Sequence, residues 1–286
     1  MRNRSAGQAA HSTVRPNRET RRQVPMRTFL RTADGIPIDS VYDPGAVVYE
    51  TSGPGPDARR SPSRELVFVV AHGFTGDVDR PHVRRVAGVL RGYGAVVTFS
   101  FRGHGRSGGR STVGDKEVLD LAAAVEWARG LGHARVATVG FSMGGSVVLR
   151  HAALNPGTLD AVVSVSAPAR WYYRGTAPMR RLHWLVTRPE GRLVGRYGLR
   201  TRIHHRDWDP VPLSPKEAVP GIAPVPLLIV HGDRDGYFPL DHPRMLAEAA
   251  GDHGELWVEP GMGHAEHAAD DALLNRIGEW AAAKAG

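Results

Sequence analysis

Ser142 is the residue whose surroundings point most directly to chemistry, because it stands in the sequence Gly-Phe-Ser-Met-Gly at residues 140–144. The apolar, β-branched run at 136–139 predicts a buried strand, and the run from Ser146 to Leu154 predicts a helix. A strand, a sharp turn and a helix together hold a serine hydroxyl above the edge of a sheet. The helix N-terminus behind it favours a developing oxyanion. The pattern therefore predicts a nucleophilic serine.

A serine hydroxyl is a poor nucleophile without a base, and the base needs an acid to orient it. The chain offers His264 after its last predicted strand, and Asp233 and Asp235 after the preceding strand at 226–231. The carboxyl ends of parallel strands are where open α/β sheets bind ligands, so we expect these residues near Ser142. His264 would take the serine proton and later protonate the leaving group, while an aspartate holds its tautomer. Both aspartates fit the acid role.

Strands and helices alternate around these residues, which indicates βαβ units and a mostly parallel, doubly wound sheet. The chain thus falls in the α/β class. Predicted strands cover 29–42 (a pair turning at 33–35), 46–51, 65–71, 95–100, 136–139, 159–165, 226–231 and 255–259, and predicted helices cover 81–91, 115–129, 146–154, 243–250 and 270–283.

Three motifs make the chain resemble the α/β-hydrolase superfamily over roughly residues 28–284. They are His-Gly-Phe at 72–74, Arg-Gly-His-Gly-Arg-Ser at 102–107 and Gly-Phe-Ser-Met-Gly-Gly at 140–145. Their combination looks most like the lysophospholipase, monoacylglycerol lipase and serine aminopeptidase-like branch. The resemblance implies an eight-stranded sheet with a short cap insertion and a serine hydrolase that cleaves carboxylic esters through an acyl-enzyme. Acyl transfer, thioester or amide cleavage, and ligand binding without catalysis are the alternatives.

The resemblance also assigns the acid. The superfamily's acid loop commonly reads Gly-x-x-Asp-x-x-x-Pro, and Gly232, Asp235 and Pro239 match that spacing. Asp235 is therefore the expected partner of His264. Asp233 is then expected to be a turn residue that binds nearby backbone amides.

An oxyanion hole needs two backbone N–H donors. The resemblance implies that Met143 supplies one and Phe74 the other, with His72 tying the loop down by hydrogen bonds. The motif at 102–107 is expected to be a structural turn beside the site. Phe101 stands where the superfamily normally has Asp before this motif, so the hydrogen bonding there is expected to differ.

Residues 169–222 interrupt the alternation where the superfamily inserts its cap. Their aromatic residues fit an acyl pocket, with Trp171, Tyr172 and Trp184 as substrate-binding candidates, or they simply pack the cap onto the body. Residues 169–210 hold ten Arg against three acidic residues, which suits an anionic substrate, an anionic membrane surface or a solvated face. The short insertion favours a narrow pocket. The aromatic set is Trp171, Tyr172, Tyr173, Trp184 and Trp208.

The composition sets the remaining expectations. The 286 residues carry a net charge of +8 and no cysteine, which excludes disulfides and cysteine nucleophiles. Residues 1–25 are expected to form a disordered basic tail before one hydrolase domain at 26–286. No apolar run approaches the roughly 20 residues of a membrane helix and no secretory signal is evident, so a cytoplasmic enzyme is expected. We expect a small acyl ester as partner, no nucleic acid, weak contact with anionic membranes at most, and no metal or organic cofactor.

Overall fold

The computed structural model describes residues 24–45 and 65–286. Most of the tail expected at 1–25 and the whole strand predicted at 46–51 lie outside the described residues. The other predicted strands form, with ends shifted by one or two residues in most cases.

Eight strands of the described chain form a single sheet in the order β1-β2-β4-β3-β5-β6-β7-β8. The contacts β1–β2 and β2–β4 are antiparallel and all others are parallel. The predicted α/β-hydrolase fold is therefore confirmed. The strands are β1 (Met26–Arg31), β2 (Pro37–Asp43), β3 (Leu66–Ala71), β4 (Ala95–Phe99), β5 (Arg135–Phe141), β6 (Ala161–Val165), β7 (Leu227–Gly232) and β8 (Gly254–Glu259).

Helices cover both faces of the sheet and also build the insertion. None in the described part of the chain is long and apolar enough to cross a membrane. The helices are α1 (Pro81–Leu90), α2 (Glu117–Gly130), α3 (Met143–Leu154), α4 (Ala177–Thr187), α5 (Pro189–Gly198), α6 (Pro215–Ala218), α7 (Asp241–Ala250), α8 (Ala265–Ala268) and α9 (Asp271–Lys284).

The central strands are buried on both sides because each face of the sheet carries its own apolar layer. On β3, Val67 and Val69 pack into the layer formed with α2, α3 and α7, whereas Phe68 and Val70 pack into the layer with α1 and α9. Every residue of β3 is buried. This is why the strand is a continuous apolar run rather than an alternating one.

Helix α3 begins at Met143, three residues before the predicted start at Ser146. Gly144 and Gly145 have low helix propensity, but packing overrides it here. A Cβ on Gly144 would overlap the carbonyl oxygen of Ala71, and a Cβ on Gly140 would overlap that of Gly144. The glycines therefore allow the helix to start directly against the ends of β3 and β5.

This close approach predicts a strong effect of one methyl group at residue 140. We expect Gly140→Ala to lower the free energy of unfolding by roughly 1–3 kcal/mol, because backbone must shift to admit it. Gly88→Ala is the matched control: it lies inside α1 with nothing near its added Cβ, and should stabilise by roughly 0.5–1 kcal/mol. Urea denaturation of both variants checks this, and equal effects would contradict it.

Six histidines of the described chain are buried, and four of them have a strongly lowered pKa: His72, His104, His151 and His242. Burial penalises the imidazolium and lowers the pKa of His72 to about 3 and that of each of the other three to about 4. These side chains are therefore neutral in the folded protein at neutral pH.

This predicts a loss of stability in mild acid. Unfolded histidines titrate near 6.5, so below that pH the unfolded chain binds more protons than the folded one and gains stability from acidification. We expect the free energy of unfolding to be at least about 2 kcal/mol lower at pH 5 than at pH 7, since each such group contributes about 1.4 kcal/mol per pH unit. Urea denaturation at both pH values tests it. The free energy of unfolding of His151→Leu should fall less than that of the wild type between pH 7 and pH 5. A wild type with the same free energy of unfolding at both pH values would refute the argument.

Candidate active site

Ser142 occupies the turn between β5 and α3 in a left-handed conformation, with φ 51° and ψ −113°. A residue with a side chain is strained in this region, and such strain persists only where neighbouring structure holds it. Here the Ser142 N–H donates to the carbonyl of Val165 on β6 at 2.8 Å, and its own carbonyl accepts from the N–H of Ser146 at 3.1 Å. Backbone contacts on both sides therefore hold the turn in place.

A continuous hydrogen-bond chain joins Ser142 to two residues distant in sequence. His264 Nε2 lies 2.9 Å from Ser142 Oγ, and His264 Nδ1 lies 2.8 Å from Asp235 Oδ2. An ionised carboxylate only accepts, so the proton of a neutral imidazole belongs on Nδ1 and Nε2 is left to accept from the serine. The arrangement suits transfer of the Ser142 proton to His264.

Asp235 is fully buried, and its second oxygen is also occupied. Oδ1 accepts the backbone N–H groups of Tyr237 at 2.8 Å and Phe238 at 3.1 Å. Burial acts to raise the pKa of Asp235, but the hydrogen bond and charge of His264 and these two N–H donors outweigh it, so the pKa lies below its ordinary value. The carboxylate is therefore ionised at neutral pH.

Asp233 does not reach this chain of hydrogen bonds. Its side chain is exposed and accepts the N–H of Gly261 at 2.6 Å, which connects the loops after β7 and β8. The structure thus brings Asp235, and not Asp233, to His264.

Two aromatic side chains beside His264 were missed by the sequence reasoning. The Tyr237 ring stacks on the imidazole with centroids 4.2 Å apart, and the Phe238 ring meets it edge-on at 5.7 Å. Both lie within the acid loop at 232–239, so their position two and three residues after Asp235 was the available signal. They limit the orientations open to the imidazole.

Phe74 and Met143 line the cavity next to Ser142. Neither of their N–H groups donates a hydrogen bond within residues 24–45 and 65–286. Met143 is the first residue of α3, where N–H groups have no intrahelical acceptor. Both groups are therefore available to a ligand at this end of the cavity.

The loop that carries Phe74 is held from two sides. His72 Nδ1–H donates to the Gly73 carbonyl at 2.7 Å, and His72 Nε2 accepts the N–H of Phe101 at 3.0 Å. Glu266 Oε1 accepts the N–H of Gly73 at 2.9 Å. Phe101 thus joins the network through its backbone N–H, a contact that does not depend on its side chain. Glu266 was missed, although it stands two residues after His264.

The motif at 102–107 is structural, as expected. Arg102 is buried and donates to Asp120 Oδ1 through Nε at 2.9 Å and Nη2 at 2.7 Å, and to Asp34 Oδ2 through Nη1 at 2.8 Å. These contacts connect the turn after β4 to α2 and to the β1–β2 turn. The guanidinium is fully engaged there and is not part of the chemistry.

A cavity of about 240 Å³ lies between Ser142 and the insertion. Trp171, Tyr172, Tyr173 and Trp208 contribute to its lining. Two of them also hold the insertion together: the rings of Trp171 and Trp208 meet edge-on at 5.1 Å, and Trp208 Nε1 donates to the Thr112 carbonyl at 2.6 Å. The same aromatics therefore form the wall and pack the insertion.

Trp184 is the exception among the predicted pocket residues. It lies outside the cavity lining and is 48% exposed. Helix α4 faces the cavity with positions 179, 182, 183, 186 and 187. This is one helical stripe, and position 184 points away from it. The assignment of Trp184 to substrate binding is corrected accordingly.

The sequence is similar to those of known hydrolases. Residues 59–192 match the family model of X-Pro dipeptidyl-peptidases of the S15 family, which covers less than half of the chain. A monoacylglycerol lipase of Mycolicibacterium smegmatis is 28% identical over 258 residues, covering 76% of this chain and 85% of the relative.

Solved structures agree on the fold. An esterase of Pyrococcus furiosus superposes with a TM-score of 0.69 at 22% identity, covering 95% of this chain and all of that one (100%). An α/β hydrolase of Penicillium sp. sh18 superposes with a TM-score of 0.66 at 18% identity, covering 92% and 99%. The chain thus has the α/β-hydrolase fold and is similar in sequence and structure to known esterases and lipases.

Proposed function

We propose that the protein hydrolyses carboxylic esters through an acyl-enzyme formed on Ser142. The observation that carries the proposal is the hydrogen-bond chain from Ser142 through His264 to Asp235, with links of 2.9 and 2.8 Å, at the end of a largely apolar cavity. Nucleophile, base and orienting acid are all within hydrogen-bond reach, as acyl transfer requires.

In the first half-reaction, Ser142 Oγ attacks the ester carbonyl as its proton moves to His264 Nε2. The negative oxygen of the tetrahedral intermediate accepts from the N–H groups of Phe74 and Met143. The C–O bond to the alcohol then breaks, and the Nε2 proton passes to the leaving oxygen. Asp235 stays ionised and stabilises the imidazolium.

In the second half-reaction, water enters the position vacated by the alcohol. His264 Nε2 takes one water proton while the oxygen attacks the acyl carbonyl, and the same two N–H groups stabilise the second oxyanion. Collapse of this intermediate breaks the bond to Ser142 Oγ, which regains its proton from Nε2. The products are the carboxylic acid and the free enzyme.

The match to X-Pro dipeptidyl-peptidases makes amide hydrolysis the second candidate. A dipeptidyl-peptidase substrate presents an ammonium group, which binds best to carboxylates. Within the described chain the cavity lining holds one acidic residue, Asp207, against Arg170, Arg174 and Arg206. This charge balance and the lipase relative favour an uncharged or anionic acyl ester.

Removal of the nucleophile tests the proposal. We expect Ser142→Ala to lose at least about 10⁴-fold in kcat on p-nitrophenyl esters, since catalysis without the triad retains only binding and oxyanion contributions. The wild type should be labelled covalently by a fluorophosphonate probe and the variant should not. An acyl-length series and an X-Pro anilide, measured on both proteins, rank the two substrate classes. A folded wild type that neither labels nor turns over any of them would refute the proposal.

The two aspartates of the β7 loop provide a matched pair. Asp235→Asn should lower kcat by roughly 10⁴-fold, because an amide in place of the carboxylate favours the wrong imidazole tautomer. Asp233→Asn changes the same atoms two residues away and should keep kcat within about twofold, because among the described residues its side chain binds the Gly261 N–H and not His264. Comparable losses in the two variants would show that Asp235 is not the orienting acid.

A further inference from the structure

Three side chains form a cluster behind the loop at 72–76, which carries Phe74 and is called the oxyanion loop below, and none of them takes part in the proposed reaction steps. His82 on α1 and Glu266 and His267 on α8 present one nitrogen or oxygen atom each, all within 4.8 Å of one another. His82 Nε2 lies 3.9 Å from Glu266 Oε1, and the two imidazole rings have centroids 3.8 Å apart. Two imidazoles and a carboxylate are a ligand set that zinc favours.

The electrostatics of the cluster suit a cation. Glu266 is buried, so its carboxylate oxygens lie inside the protein beside the two imidazoles. His82 Nε2 has no hydrogen-bond partner among the described residues, although it is shielded from solvent. The nearby guanidinium groups are already paired, Arg80 with Asp77 at 3.3 Å and Arg85 with Asp271 at 2.8 Å.

We propose that His82, Glu266 and His267 form a binding site for a divalent transition-metal ion such as Zn²⁺, separate from the catalytic residues. Metal–ligand bonds of about 2.1 Å require ligand atoms roughly 3.4 Å apart in a tetrahedral site. The imidazole of His267 is on the surface, where rotation brings its nitrogen closer to the other two. The exposed side of the site leaves the fourth position to water.

The site is coupled to catalysis through Glu266, and this part of the inference rests on the proposed function. Glu266 Oε1 is the atom that accepts the N–H of Gly73, directly before Phe74. A metal ion bound between His82 and Glu266 withdraws electron density from that oxygen and competes with the Gly73 N–H. We therefore expect the ion to inhibit hydrolysis by loosening the oxyanion loop.

Metal binding is measured first, with Co²⁺ as a spectroscopic probe. The full-length protein should bind one equivalent with the intense visible absorption of a tetrahedral site, and excess Zn²⁺ should abolish it. His82→Gln and His267→Gln should each weaken binding by roughly 10-fold or more. His205→Gln is the control, because it disrupts the stacked His204–His205 pair, which is the alternative surface chelate. Absence of binding, or binding lost only in His205→Gln, would overturn the site.

Inhibition is measured second. Zn²⁺ should lower kcat/KM of the wild type roughly 10-fold, and His267→Gln should keep the metal-free activity but lose the inhibition. Equal inhibition of the wild type and His267→Gln would place the ion on His264 and contradict the coupling. Ser142→Ala should still bind Co²⁺. A wild type that binds Co²⁺ but lacks esterase activity would therefore refute the proposed function and leave the metal site standing.

Discussion

The close contact between the start of α3 and the ends of β3 and β5 is the constraint on which the site depends. Gly140 and Gly144 let the backbones approach, and Ser142 takes up the reversal in its left-handed conformation. Because α3 begins immediately, the Met143 N–H makes no hydrogen bond with the described residues and lies at the positive end of the helix. The proposed nucleophile and the proposed oxyanion donor thus belong to the same backbone turn, and the position of either cannot be changed alone.

The polar groups around this turn keep a simple charge pattern. Asp235 is the ionised member of the hydrogen-bond chain, while His72 beneath the oxyanion loop is neutral because burial lowers its pKa to about 3. A neutral imidazole such as that of His72 keeps its hydrogen bonds at neutral pH. Unlike a carboxylate, it carries no negative charge that would compete with an oxyanion for the N–H donors. Glu266 is the exception, because a buried carboxylate supports the loop. A cation that binds Glu266 would therefore alter the hydrogen bond that holds the oxyanion loop.

Most of the fold was predictable because strands buried on both faces leave continuous apolar runs, and the helices between them leave apolar residues at helical spacing. The start of α3 was not, because Gly144 and Gly145 disfavour helix and only tertiary packing places them in one. The residues of the hydrogen-bond chain were found through motifs that constrain local backbone. The remaining findings depend on which way a side chain faces in three dimensions, which local spacing does not specify. These are the contacts of Tyr237 and Glu266 and the position of Trp184 outside the cavity lining.

The hydrogen bond between Ser142 and His264 joins residues 122 positions apart, across β6 and β7. Contacts of such long range form late in folding, since closing a long loop costs entropy before other contacts repay it. During synthesis, the serine turn emerges well before β8 and its histidine. The activity proposed for Ser142 is therefore coupled to completion of the sheet, because a nascent chain that lacks the segment after β8 holds the serine without its proposed base.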